Sequence, residues 1–347
     1  MEPKKNDGRI SPIVVILILG LIAFILYIVF FINPNTVAQI LSKTNLAIYS
    51  VAFAAYILFA LFSSLTWNNL LSNLSTAVTK RKTLLLTWVG LFFEATVPQL
   101  GWSGEVSKTY LLSKDSQIDS GTIFASVVGQ KIFTLTISAV ALGAGLGLAL
   151  INYPLPLTSA ILVSTILALS IIGLCVVLYL SSNPTVTSML LSWGVRIILF
   201  FRKSWNPQYF LAKASDILEN FHLGIKRLTV KPKFLFKPAI YALVSFACEV
   251  SVLCLVFMAL GFFPVPLDKI LIVFTLTGTL QTVGVTIFGF AEVVMSSSFT
   301  FLGIPVDISF SATLLVRVVN LWFRLAVSYL ALQWTGMKII RQNKTPK

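Results

Sequence analysis

Six apolar runs, roughly 12–32, 45–71, 122–151, 158–180, 238–261 and 309–337, are each long enough to cross a hydrocarbon core of ~30 Å as a helix. In lipid each backbone N–H and C=O must be satisfied without water, so runs of this length fold as α-helices. Short turns carrying Pro or Asn separate several of them: Asn33-Pro34, Asn152-Tyr-Pro154-Leu-Pro156 and Phe263-Pro264-Val-Pro266. Of the 347 residues 57% are hydrophobic and 11% charged, with a mean hydropathy of +0.91. A soluble chain carries roughly 25% charged residues, so the expected class is an all-α polytopic membrane protein with one integral membrane domain. The first run lacks a small-residue cleavage site before Asn33, which marks it as a retained span rather than a signal peptide.

Two further stretches are too short for single crossings. Thr83 to Val97 would be about 22 Å long as a helix and stops at Pro98. Ser103 to Leu112 is shorter still. Together they predict a re-entrant helical hairpin with its tip at Pro98–Gly104. A second hairpin is expected from an arm starting at Ile270, a break over Gly284–Gly289, and a return arm from Ala291 to Leu302. Irregular backbone at membrane depth is tolerated where protein or a wet cavity satisfies it.

The formal net charge of +14 is unevenly placed. Lys and Arg collect at residues 1–11, at Lys80-Arg81-Lys82, between Arg196 and Lys237, and over 338–347. Six crossings and two hairpins put all of these on one side, leaving Lys43 and Lys269 on the other. By the positive-inside rule that side, with both termini, is cytoplasmic. The two hairpin-plus-span units, 83–151 and 270–337, then enter from opposite faces, as in an inverted repeat. Treating each hairpin as two full crossings gives the same sidedness. The basic charge is accounted for by topology, and no soluble basic domain is present to bind nucleic acid.

Cys175, Cys248 and Cys254 lie in apolar runs without metal-ligand spacing, and His222 is the sole histidine. A His-dependent metal site or Ser-His relay is therefore not expected, nor any cofactor. Residues 181–237 form the one sizeable polar segment. Within it Phe210, Ala214, Ile217, Leu218, Phe221, Ile225 and Leu228 recur at helical spacing, predicting amphipathic interfacial helices on an anionic leaflet.

The most informative charges occur twice. Pro98-Gln-Leu-Gly101-Trp-Ser-Gly104-Glu105 is followed by Lys131 after 26 residues. Gly284-Val-Thr-Ile-Phe-Gly289-Phe-Ala-Glu292 is followed by Arg317 after 25. An offset of 187 also sets Glu94 against Gln281 and Ala125 against Ala312. Intramembrane charges cost roughly 2.5–3.5 kcal/mol each on insertion scales, so they are kept mainly for a purpose. One reading is structural: Glu105–Lys131 and Glu292–Arg317 hold each hairpin to its following span, with Ser103 capping the helix that Glu105 opens. The other is a polar cavity at the repeat interface. There Lys131, Arg317, Arg324 and the N–H groups of the half-helix at Gly104 hold a phosphate-bearing headgroup. Glu94, Glu105, Glu249 and Glu292, with Gln281, balance the cations or carry protons. Lys108 reads as a surface i,i+3 partner of Glu105, and Asn320 and Thr134 as weaker candidates. The Gly143-Ala-Gly145-Leu-Gly147 run reads as close helix packing.

At these residues the chain resembles the flippase-like family that includes the transmembrane region of lysylphosphatidylglycerol synthases (UPF0104-type membrane proteins). The matching pattern is Pro98…Gly104-Glu105-Val106-x-Lys108-x-x-x-Leu112, Ala125-Ser-Val-Val-Gly-Gln-Lys131-Ile-Phe-Thr134, Gly289-Phe-Ala-Glu292 and Ala312-Thr-Leu-Leu-Val-Arg317. The family usually has Arg where Lys108 and Lys131 stand and often an acid in place of Thr134; Lys keeps the charge without a bidentate fork. The resemblance implies a lipid-translocating membrane fold and does not imply aminoacyl-lipid synthesis, which in synthases belongs to a separate soluble domain.

The expected function is a flippase-like transporter moving a lipid or lipid-linked glycan headgroup, anionic or glycosylated, between leaflets, and not an enzyme. With no nucleotide motif, energy would come from an ion gradient, the membrane potential or downhill lipid movement. Two alternatives are a non-catalytic partner of a lipid- or glycan-modifying enzyme, and an integral membrane headgroup transferase with Glu94 or Glu105 as base.

Overall fold

The computed structural model describes residues 34–343 except 75, 98–101, 117, 153–156, 202–206, 231 and 283–288. The expected first span 12–32, the 1–11 terminus, the end of the 338–347 tail, the Pro154–Pro156 turn, Arg202–Lys203, and most of both hairpin breaks (Pro98–Gly101 and Gly284–Phe288) lie outside the described residues. The rest is helical, with no strand among the described residues.

The helices are α1 (Pro34–Ser42), α2 (Leu46–Asn73), α3 (Lys80–Thr96), α4 (Ser103–Ser116), α5 (Ser120–Asn152), α6 (Leu157–Ser182), α7 (Pro184–Phe201), α8 (Gln208–Val230), α9 (Phe236–Ala259), α10 (Leu267–Thr282), α11 (Phe290–Phe301), α12 (Val306–Arg317) and α13 (Arg324–Asn343). Among the described residues five stretches are long and apolar enough to cross a membrane: Leu46–Asn73, Ser120–Asn152, Ala160–Ser182, Pro232–Ala259 and Val306–Thr335. They coincide with the five expected spans that fall within the described residues.

The bundle is built around α2 and α9, which run antiparallel along their full length. Three hydrogen bonds fix their register: Asn45 N–H donates to Ala259 O (2.8 Å), Ser245 Oγ to Phe59 O (3.0 Å), and Asn73 Nδ2 to Phe234 O (3.0 Å). Asn45 also starts α2, its Oδ1 accepting from the N–H groups of Ala47 and Ile48 at 3.1 and 3.2 Å. Around this pair, secondary structure recurs with the offset read from sequence. Lys80, Ser103 and Ser120 open three helices, and Leu267, Phe290 and Val306 open three more, each within one residue of 187 further on. α3 lies along α13, and α10 lies along α5. One core cluster gathers α5, α9, α10, α11 and α12 around Phe257, Phe299 and Ile272; another gathers α2, α3, α9 and α13 around Tyr56, Val89 and Val252.

The arms of the first hairpin meet through glycine. A Cβ on Gly104 would lie 2.6 Å from Gly90 O, and one on Gly90 would lie 2.9 Å from Lys108 Cγ. At the opposite end Lys82 Nζ pairs with Asp115 Oδ2 at 2.7 Å, closing the start of α3 onto the end of α4. Gly145, in the glycine run of α5, packs against α10, where a Cβ would sit 3.1 Å from Ile272 Cγ1 and Leu271 Cβ.

Two features depart from the sequence reading. The last span is not one regular helix: Val318–Phe323 is π-helical and links α12 to α13. A π segment shifts helical phase without altering hydropathy, so apolar periodicity does not reveal it. Nor does the amphipathic face of α8 rest on lipid alone. Its Phe221, Gly224 and Leu228 are buried, and a Cβ on Gly224 would come within 2.6 Å of Ala125 Cβ on α5. Small residues let α8 dock on the bundle there, while Tyr209 and Phe210 near its start stay exposed.

Candidate functional site

Each hairpin presents its glutamate in the first turn of the return arm, where the helix dipole favours negative charge. Each glutamate meets the cation expected from sequence, and the two pairs differ in how completely they are satisfied. On α11, Glu292 is 3% exposed; its Oε1 accepts from Arg317 Nε at 2.6 Å and its Oε2 from Gly289 N–H at 2.8 Å. Gly289 has φ 96°, a conformation that favours glycine, and so allows the carboxylate to fold back over its own helix start. Both oxygens are engaged, as in a structural clamp of α11 to α12.

Glu105 on α4 is held differently. Its Oε1 lies 3.4 Å from Lys131 Nζ, while its buried Oε2 has no hydrogen-bond partner. Lys131 Nζ also sits 5.6 Å from the Trp102 ring centroid, at the hairpin tip. The expected cap is absent: Ser103 Oγ faces Phe93 O (3.0 Å) and Val97 O (3.2 Å) as donor, tying the two arms together. Its hydroxyl is directed to the outgoing arm, where α3 ends and its last carbonyls are not all used within the helix.

Around Glu105 the fold assembles charges from five helices. Arg324, at the start of α13, donates from Nε to Leu91 O at 3.1 Å and places Nη2 3.7 Å from Glu94 Oε2 on α3. Glu249 on α9 lies within electrostatic reach of Glu94, Arg324 and Lys131. Lys108 on α4 is likewise within reach of Glu105, Glu94 and Lys131. Three acidic side chains (Glu94, Glu105, Glu249) and three basic ones (Lys108, Lys131, Arg324) thus share one cluster. Lys108 is not the surface residue expected. It is 8% exposed and its Nζ lies 5.4 Å from the Trp67 ring centroid, whose Nε1 donates to Ser126 Oγ at 3.0 Å.

Of the nine residues singled out, Glu94, Glu105, Lys131, Glu249 and Arg324 come together, and Gly104 packs the hairpin arms beside them. Glu292 and Arg317 form their own centre. Gln281 lies in the last turn of α10, and its side chain is outside the described residues. Thr134 bonds back to Gln130 O on its own helix at 3.2 Å, whereas Asn320, within the π segment, has a buried Oδ1 with no partner. Tyr56, fully buried and within reach of Arg324, was not legible as a site residue because a tyrosine within an apolar span looks like core. Trp102 carried a signal, its place inside the Gly-Trp-Ser-Gly-Glu sequence at the hairpin break.

The pairs predict different responses to mutation. Removing Arg317 strands a buried carboxylate, so Arg317→Ala should cost about 3–5 kcal/mol. In detergent it should unfold at a clearly lower temperature, whereas Glu105→Gln should unfold close to wild type. Equal destabilisation would make both pairs structural.

Comparison with known proteins agrees with this architecture. The family described as "Lysylphosphatidylglycerol synthase TM region" matches residues 14–328. A UPF0104 membrane protein of Methanocaldococcus jannaschii is 24% identical over 333 residues, covering 93% of this chain and 95% of the relative. Others from Methanothermobacter thermautotrophicus and Pyrococcus horikoshii are each 21% identical, covering 96% and 88% of this chain and 97% and 92% of the relatives. No solved structure matches. With apolar helices of spanning length and a family match over nearly its whole length, the chain is a multi-pass membrane protein of the lysylphosphatidylglycerol synthase transmembrane-region family.

Proposed function

We propose that the protein is a flippase-like transporter, not an enzyme, which moves a lipid or lipid-linked headgroup between leaflets. The observation that carries this reading is the contrast between the two repeated glutamates. Glu292 uses both oxygens on fixed partners, while Glu105 keeps a buried oxygen unsatisfied beside two lysines. A buried unpaired acceptor costs about 1–3 kcal/mol, a cost that suits a group whose partner arrives during work. Acidic and basic side chains occur there in equal number, three of each. An incoming phosphate-bearing headgroup would recruit Lys131, Lys108 and Arg324, leaving the carboxylates to take up a compensating proton or cation.

The transport geometry follows from the repeat. Antiparallel pairing of α2 with α9, and the packing of α3 on α13 and α10 on α5, support an inverted-topology arrangement. In this reading α3–α4 and α10–α11 are re-entrant hairpins entering from opposite faces. The α3 and α4 helices, 17 and 14 residues long, are both shorter than a full crossing. The π segment joins Arg317, clamped to the second hairpin, to Arg324, bonded to the first. A change of its helical phase would move one hairpin's cation relative to the other's.

Two measurements test this. In proteoliposomes carrying headgroup-labelled lipid, Glu105→Gln and Lys131→Ala are expected to abolish translocation while leaving expression intact; full activity in both would refute their roles. Single cysteines at Ser116 and Asp307 should be labelled from opposite sides of the membrane. Labelling from one side would remove the inverted repeat.

A further inference from the structure

The groove where α3 and α4 meet α13 contains a cavity of ≈ 350 Å³ at the basic end of the hairpin, far along α3 from the Glu105 cluster. Its rim carries Arg81, Lys82, Asp115 and Trp334, and its floor is Leu85, Leu86 and Leu111. Lys82 is neutralised by Asp115 at 2.7 Å. Arg81 makes no ion pair among the described residues; its guanidinium stacks 5.6 Å from the Trp334 ring centroid, with Trp334 itself 58% exposed. Three successive cations, Lys80, Arg81 and Lys82, occupy the first turn of α3, where the helix dipole disfavours positive charge, and Thr79 makes no side-chain cap there. A cationic rim over a leucine floor, with tryptophan at its lip, matches a group that is anionic at one end and apolar at the other.

We propose that this cavity is a loading site for the phosphate of an anionic phospholipid from the adjoining leaflet. The phosphate sits on Arg81 at the rim, and the glycerol and first acyl carbons lie on Leu85, Leu86 and Leu111. A free phosphate ion would leave that floor unused, which favours the lipid. The same pair of helices, α3 and α13, carries Leu91 O, Arg324 and Glu94 about 20 Å further along α3. In the transport reading a headgroup loaded at the rim is thus held on the two helices that also carry the charged cluster. Between α5 and α10 the helices approach closely at Gly145, against Leu271 and Ile272. The link between rim and cluster rests on the transport reading, while binding at the rim does not.

The test uses the full-length protein in phosphatidylcholine vesicles doped with phosphatidylglycerol carrying a photoreactive group near the glycerol end of one acyl chain. Cross-linked peptides are identified by mass spectrometry. Wild type should cross-link over residues 79–86 and around Trp334. Arg81→Gln should reduce that yield about fivefold, from roughly 1 kcal/mol per basic residue at an anionic surface, and Arg81→Lys should largely restore it. Arg81 is exposed, so the variants are expected to keep the wild-type unfolding temperature. Glu105→Gln, the variant expected to be inactive in transport, should cross-link here as wild type does. This separates failure of the loading site from failure of the transport reading. Equal yield in Arg81→Gln, equal labelling by the matching phosphatidylcholine probe, or displacement by inorganic phosphate would each overturn the proposal.

Discussion

An ionised side chain at membrane depth has no water to solvate it, so each one dictates what must stand beside it. In this chain that requirement organises the helices. Arg317 binds Glu292 and fixes α12 to the second hairpin; Arg324 binds Leu91 O and approaches Glu94, fixing α13 to the first. These anchors leave the last span by its two ends of one π segment, only six residues long, and so tie both hairpins to the same element. Uncharged hydrogen bonds do the rest: the antiparallel seam of α2 and α9 is registered by Asn45, Ser245 and Asn73 at its ends and middle.

Within this frame the two glutamate–cation pairs differ. The second is a clamp, with a glycine in the left-handed region letting Glu292 satisfy its own helix start as well as Arg317. The first is incomplete, a lysine stacked on tryptophan and a carboxylate oxygen without a donor. One pair is fully satisfied and the other is held short of satisfaction, and the proposed transport site rests on that difference.

Much of this was legible in the sequence because it rests on expensive residues. The spans follow from uninterrupted apolar length, and the pairs Glu105–Lys131 and Glu292–Arg317 follow from rare charges at matching spacing. What stayed hidden depends on residues that cost nothing in lipid. Tyr56 and Trp67 read as core, and the π turn over Val318–Phe323 leaves no trace in hydropathy. Lys108 was misjudged because i,i+3 spacing within α4 says nothing of the neighbouring helix. Gly90 clears room for its stem, and Trp67 receives its ammonium. The docking of α8 likewise depends on Gly224 meeting Ala125, a contact between segments about a hundred residues apart.

A Glu105 cluster that holds a lipid headgroup would carry that lipid through purification. Mass spectrometry of lipids that co-purify with the protein reads this out, comparing wild type with a Glu105→Gln/Lys131→Ala double variant. A headgroup class enriched over the bulk membrane is expected in wild type, reduced to the bulk proportion in the variant. The same bulk lipids in both samples would contradict it and leave the charged cluster a structural one.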